Sequence, residues 1–441
     1  MTLSRRRFVQ GGLAGLAAAA TPTPFWQAAL APRSAQAAGP TDPILVVIQL
    51  EGGNDGLGTV SPLDDAGPVP QRSLYEAARP DIGLPLSALL DSEIGADPEK
   101  GTALAFHPAM TGLKVLYDQG ALAVLQGVAY SNQNLSHFSS EDMWFSGLST
   151  TGFASGWLGR QLEAHHNPSE LVAVSFDGSL NPMFMSPDGA NALAIKALGQ
   201  FKYDDDALYP DADLRRSTIE AALAASAAGT GLAARIGAAG SALFSKMDDY
   251  ARIGAFAASH LTDLNFGLAR RLREVSRVIR HDLISNTPVG ARTFHCRLGG
   301  FDTHSNQQTS ASDPMAGQHP ILLQQLSVAM TAFWQDMQDL GLDDRVLVVT
   351  ISEFGRRVAQ NGSQGTDHGE ASALFVLGGA VQGGVHGTLP ALDDLNLGNL
   401  KVQTDFRQVY ATIIDRWLQA PGAHIPILGG EWELLDFLLD T

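Results

Sequence analysis

The chain has 441 residues, 45% of them hydrophobic and 17% charged, with a formal net charge of -17 at pH 7. That length buries a large core, either as one big domain or as a domain with an inserted cap, and the composition is that of an ordinary globular protein. So acidic a surface repels phosphate backbones and anionic headgroups, which excludes nucleic acid as a partner and argues against a polybasic membrane patch.

Residues 1–37 read as a twin-arginine signal peptide. Ser4-Arg5-Arg6-Arg7-Phe8-Val9 sets an arginine pair ahead of a hydrophobic residue, and a Gly- and Ala-rich run follows through Ala20. Ala35-Gln36-Ala37 offers a small-residue cleavage site. The run is too short and too rich in Gly and Ala to span a bilayer, and no cysteine near the cleavage site offers a lipid anchor, so no stable membrane anchor is expected. The partner implied is the twin-arginine translocation machinery, and the destination of residues 38–441 is periplasmic or secreted. Removing the four arginines of the signal, which carries no acidic residue, takes the net charge from -17 to -21. Cys296 is the single cysteine, so no internal disulfide can form, in keeping with folding in a reducing cytoplasm before transport.

Ile44-Leu45-Val46-Val47-Ile48 opens the mature chain as a continuous apolar, β-branched run, the pattern of a strand buried on both faces of a parallel sheet. Leu122–Leu125, Leu171–Val174, Thr293–Arg297, Val346–Ile351 and Ala373–Leu377 repeat it, with helical patterns such as Pro108–Gln119 and Leu322–Leu340 between them. The alternation predicts an α/β fold with a doubly wound, mostly parallel sheet, whose ligands bind beyond the carboxyl ends of the strands. Residues from about 211 to 285 are Ala- and Arg-rich with few strand signals. They read as a helical insertion beside the sheet, or equally as crossover helices of the same domain. Ala221–Ala239 reads as a loose helix pair or a surface linker.

Three segments place polar groups just past predicted strands. Asn54-Asp55 lies in a turn where Gly52, Gly53 and Gly56 permit close backbone approach, though a plain acidic turn would look the same. Asp302 and His304, in Phe301-Asp302-Thr303-His304, can converge on one divalent metal, or belong to a polar surface loop. Glu353 follows Val346–Ile351, and Asp367-His368 sits on a glycine-flanked loop beyond it. Arg356 and Arg357 can meet an anionic ester group or pair with this protein's own carboxylates. The mixed oxygen and nitrogen donors suit zinc first, with manganese or magnesium as alternatives. His137, in Leu135-Ser136-His137-Phe138-Ser139-Ser140-Glu141-Asp142, is a further candidate, and the serines ahead of Glu141 read as a helix N-cap.

The phrases Glu51-Gly52-Gly53-Asn54-Asp55-Gly56, Gly300-Phe301-Asp302-Thr303-His304, Ser352-Glu353-Phe354-Gly355-Arg356 and Gly365-Thr366-Asp367-His368-Gly369 resemble one uncharacterised bacterial family, the domain of unknown function 1501 family. Ser136-His137-Phe138 and Thr404-Asp405-Phe406-Arg407 extend the likeness over nearly the whole mature chain. That family resembles the alkaline phosphatase and sulfatase superfamily, which implies an alkaline-phosphatase-like domain over 38–441 and a metal-dependent hydrolase of phosphate or sulfate esters acting on a small anionic substrate. On that resemblance Asp55, Asp302, His304, Glu353, Asp367 and His368 are the expected metal ligands. Ser136, His137 and Arg356 are the expected catalytic residues, with Ser136 or an activated water attacking. The chain departs from the superfamily where Glu353 replaces an Asp-His pair, where Asp302 and His304 stand unusually close, and in having no Cys-x-Pro-x-Arg motif. The alternative is a non-catalytic exported protein that keeps the fold to bind a ligand.

Overall fold

A computed structural model describes residues 42–439 apart from 150–152, 168–169, 188–190, 204–211, 255–258 and 311. The arginine pair and the cleavage site therefore lie outside the described residues. The strands run in chain order as β1 (Ile44–Glu51), β2 (Val60–Pro62), β3 (Glu93–Ala96), β4 (Ala103–Phe106), β5 (Leu122–Ala129), β6 (Ala173–Ser175), β7 (Ala192–Ala194), β8 (Thr293–Gly299), β9 (Val346–Ile351), β10 (Ser372–Leu377), β11 (Gly384–His386) and β12 (Thr404–Asp405).

Among the described residues one sheet has the order β11-β5-β10-β9-β1-β8-β6-β7, with β12 also on β5. All of its pairings are parallel except those of β10, which runs antiparallel to both β5 and β9. The fold is thus α/β with a mostly parallel central sheet. β1 lies at its centre because it can be buried on both faces. Ile44, Val46, Ile48 and Leu50 enter one apolar cluster, while Leu45 and Val47 enter the other. A strand side chain changes face at every residue, so only an unbroken apolar run satisfies both layers.

The first layer contains the helices Gly267–Ile284 and Gln318–Asp339, which pack on each other, with Gly267–Ile284 also against β8. Gly267–Ile284 buries Leu268, Leu272, Val275 and Ile279, a stripe at helical spacing. That stripe makes it a core crossover helix, although it falls within the stretch read as an insertion. Ala212–Ala227 and Gly231–Ala251 pack chiefly on each other as a helix pair and bury few side chains. The second layer includes the helices His137–Ser146, Trp157–His165 and Phe406–Thr412, with Trp144, Trp157 and Tyr410 in ring contact. A small antiparallel sheet, β2-β4-β3, was not foreseen, since strands of three or four residues are too short to display an alternation. Among the described residues no helix is long and apolar enough to cross a membrane.

Candidate metal centre

The carboxyl ends of β1, β8 and β9 meet side by side, and the loops leaving them carry most of the residues singled out in the sequence. Close packing of these loops depends on Gly52. Its φ of +119° is a conformation L residues rarely adopt, and a Cβ there would lie 2.2 Å from the Asp302 backbone nitrogen. The Gly52 N–H donates to Glu353 Oε1 at 2.7 Å, which ties the end of β1 to the residue just past β9.

Asp302 is half exposed and lies among three imidazoles. Its Oδ1 is 3.1 Å from His368 Nε2 and 3.2 Å from His304 Nε2, and its Oδ2 is 3.5 Å from His137 Nε2. The His304 and His368 Nε2 atoms are 3.0 Å apart. Ligand atoms of His137, Asp302 and His368 all fall within 4.8 Å of one another.

The outer nitrogen of each ring decides what the inner one can do. His368 Nδ1 donates to the Leu135 carbonyl at 2.8 Å, a group that can only accept. His137 Nδ1 faces Glu353 Oε1 at 2.9 Å, and His304 Nδ1 faces Asp367 Oδ1 at 3.2 Å. With Nδ1 protonated in all three rings, each neutral imidazole turns a lone pair on Nε2 toward Asp302. Outer acceptors of this kind orient histidines that bind metals. Two Nε2 lone pairs 3.0 Å apart beside a carboxylate repel one another, and a cation between them removes that repulsion. The His137 and His368 nitrogens and the Asp302 carboxylate form a mixed donor set of the kind that binds a divalent metal, and His304 Nε2 adjoins it.

The ionisation of the cluster follows its neighbours. Burial pushes the Asp302 carboxyl up, but the hydrogen bond and charge of the Arg356 guanidinium act against it, and the group is held below its usual range. Its hydrogen bond to Glu353 raises His137, whereas burial lowers His368. Asn361 and His304 hold Asp367 low, with the exposed Arg357 adding a favourable charge.

Of the residues expected as ligands, Asp302, His304 and His368 come together, and His137 joins them from a different part of the chain. Asp367 and Glu353 stand behind the imidazoles as hydrogen-bond partners. Asp55 is elsewhere: it is fully buried and grips Arg79 through both oxygens at 2.6 and 2.8 Å, with Gln307 donating to it at 2.6 Å. Burial raises its pKa, but the Arg79 charge and hydrogen bonds more than reverse this, so the pair is ionised and leaves no oxygen for a metal. The sequence did not reveal Arg79, which lies 24 residues beyond Asp55 and meets it only in the folded chain.

Arg356 also corrects its expectation. It is 1% exposed and cannot meet a substrate. Its guanidinium donates to the carbonyls of Gly53 at 2.8 Å, Thr366 at 2.9 Å, Phe301 at 3.0 Å and Gly52, and to Asp302 Oδ1 at 2.7 Å. One side chain thereby pins three loops and aims Asp302. Ser136, one of the serines ahead of Glu141, is the N-cap of the helix His137–Ser146. Its side chain makes no capping bond, and it is partly exposed beside His137.

Residues 285–422 match the family described as "Protein of unknown function (DUF1501)". The match includes Asp302, His304, Glu353, Asp367 and His368, while His137 lies outside it. No curated protein matches the chain. Solved structures that match the chain include a sulfatase from Pseudoalteromonas sp., which matches 93% of this chain and 72% of its own at 11% identity with a TM-score of 0.32. A phosphonate monoester hydrolase of Agrobacterium radiobacter matches over 89% and 79% at 11% identity with a TM-score of 0.33. A protein in the alkaline phosphatase superfamily from Vibrio parahaemolyticus matches over 81% and 68% at 8% identity with a TM-score of 0.32.

Proposed function

We propose that this protein is a periplasmic, single-metal hydrolase of phosphate or sulfate esters, exported by the twin-arginine machinery. The observation that carries the metal is the convergence of three Nε2 lone pairs and one carboxylate, each imidazole held by an acceptor at Nδ1. Asp302, at 47% side-chain exposure, and His304, at 45%, leave an open side from which an ester can approach. A divalent ion held there would polarise the ester oxygen and lower the pKa of an attacking hydroxyl or water. The chain's own part is positional. Arg356 fixes Asp302, Glu353 fixes His137, and the helix His137–Ser146 sets Ser136 next to the cluster. Ester hydrolysis itself is supported by the family resemblance, and the pairing of Asp55 with Arg79 favours one metal over two.

The test is metal analysis joined to a substrate screen of aryl phosphates, phosphodiesters and aryl sulfates. One zinc or manganese per chain, with hydrolysis abolished in His304→Ala, is the expected result. Loss of activity in Ser136→Ala with metal retained would make Ser136 the nucleophile, whereas a retained rate would give that part to water. A reconstituted protein that holds stoichiometric metal but hydrolyses none of these esters would overturn the hydrolase reading and leave the metal site standing.

A further inference from the structure

Beside the metal centre the second layer encloses a cleft of about 200 Å³ that the histidine cluster does not use. It opens at the same end of the sheet, between β1, β8 and the loop after β6. A continuous polar chain runs along one side. Gln49 Nε2 donates to Glu141 Oε1 at 3.0 Å, and Asn181 Nδ2 donates to Gln49 Oε1 at 3.2 Å and to His295 Nε2 at 3.1 Å. His295 Nδ1 donates in turn to Asp177 Oδ2 at 2.8 Å. Arg297 and Glu51, paired at 2.8 Å, add a cation and an anion to the lining. Phe145, Leu180 and Pro182 supply an apolar wall.

We infer that this cleft binds a cyclic polyol of monosaccharide size. Its volume is below the ~300–1,000 Å³ typical of pockets for drug-sized ligands. The lining mixes fixed donors and acceptors at short intervals, and a hydroxyl is the ligand group that can both donate and accept. An apolar ligand would strip water from these groups without replacing it, and a multiply charged anion would meet Glu51, Glu141 and Asp177. The apolar wall suits the C–H face of a ring. Glu141 lies four residues after His137 on one helix, about 6 Å further along its axis and on the same face. On the hydrolase reading of the neighbouring site, the polyol is therefore the alcohol that carries the ester.

Because the cleft contains none of the residues assigned to the metal, it can be tested on metal-free protein. Saturation-transfer NMR and calorimetry with glucose, galactose, glucosamine, N-acetylglucosamine and myo-inositol should detect binding of at least one, with Kd on the order of millimolar. Asn181→Ala should weaken it by about tenfold or more, as expected for losing buried hydrogen bonds. Ser179→Trp changes only an exposed rim residue and should occlude the cleft even if Asn181→Ala disturbs the fold. His304→Ala should leave binding unchanged while removing metal, so failure of the metal centre and failure of the cleft are read separately. Absence of binding by all five probes, or equal binding to wild type and Ser179→Trp, would overturn the inference.

Discussion

His304 and His368 place their Nε2 atoms 3.0 Å apart although 64 residues separate them in the chain. Each ring has its other nitrogen engaged, by Asp367 and by the Leu135 carbonyl respectively, so with those nitrogens as donors the neutral rings carry lone pairs on both inner nitrogens. A pair of like dipoles this close is costly without a cation, and the first prediction follows from it. The mature protein should retain about one divalent ion per chain, fewer than a two-metal hydrolase site holds. His304→Ala and His368→Ala should each lower the content below half, measured by elemental analysis after dialysis. Full metal content in both variants would show the site to be elsewhere.

In the proposed metal site Glu353 would act on the ion through His137, whose Nδ1 it holds at 2.9 Å. Glu353→Gln keeps the shape but weakens the acceptor that holds Nδ1–H, and such outer partners are worth roughly 10–100-fold in metal affinity. A competition titration with a chromophoric chelator should show a loss in that range. The same variant should also lose stability, because Glu353 accepts the Gly52 N–H at 2.7 Å inside the protein. An unchanged affinity would place His137 outside the coordination sphere.

Asp55 and Arg79 should behave as a structural pair. Removing one partner strands a buried charge, which costs about 3–5 kcal/mol. Arg79→Met should therefore lower the free energy of urea unfolding by that amount. The fraction that remains folded should bind metal as wild type does, since neither residue touches the histidine cluster. A selective loss of metal at unchanged stability would restore Asp55 as a ligand.

The stability of the protein should fall as the pH drops below neutrality, through His107 and His319. Burial lowers the pKa of His107 to about 3 and that of His319 to about 4, against 6.5 for a free imidazole. A depressed folded-state pKa means the unfolded chain binds more protons below pH ~6.5. The contribution is thus complete above that pH and is lost as the pH falls toward the folded values. Two such groups cost about 3 kcal/mol between pH 6.5 and pH 5. Glu141 opposes this in part, because burial and the Glu353 and Glu51 charges raise it to about 7. Its contribution is present below the ordinary carboxyl range and lost as the pH rises through 7, and its partial exposure makes it the smaller effect. Urea melts at the two pH values, repeated with His319→Gln, should show the loss in wild type and roughly half of it in the variant.

The sequence determined the layout of the sheet because a buried strand reports on itself. Val346–Ile351 is apolar or β-branched at every position, and it is a strand with those same bounds, while Thr293–Arg297 lies within β8. Burial on both faces is a property of each residue in turn, so local composition reveals it. The sequence also brought Asp302, His304 and His368 to notice, since a polar triplet after a strand and a His flanked by glycine are local patterns. What each of those groups does depends on partners far along the chain. Asp55 and Glu353 are both acids just past a central strand and looked equivalent. Asp55 meets Arg79 at 2.6 Å and becomes a buried ion pair, whereas Glu353 meets His137 at 2.9 Å and orients its ring. Arg356 read as an anion-binding guanidinium, yet the carbonyls of Gly53, Phe301 and Thr366 surround it. Charge and residue type are fixed by the sequence, but desolvation and the identity of the opposing group arise only when the loops close on one another.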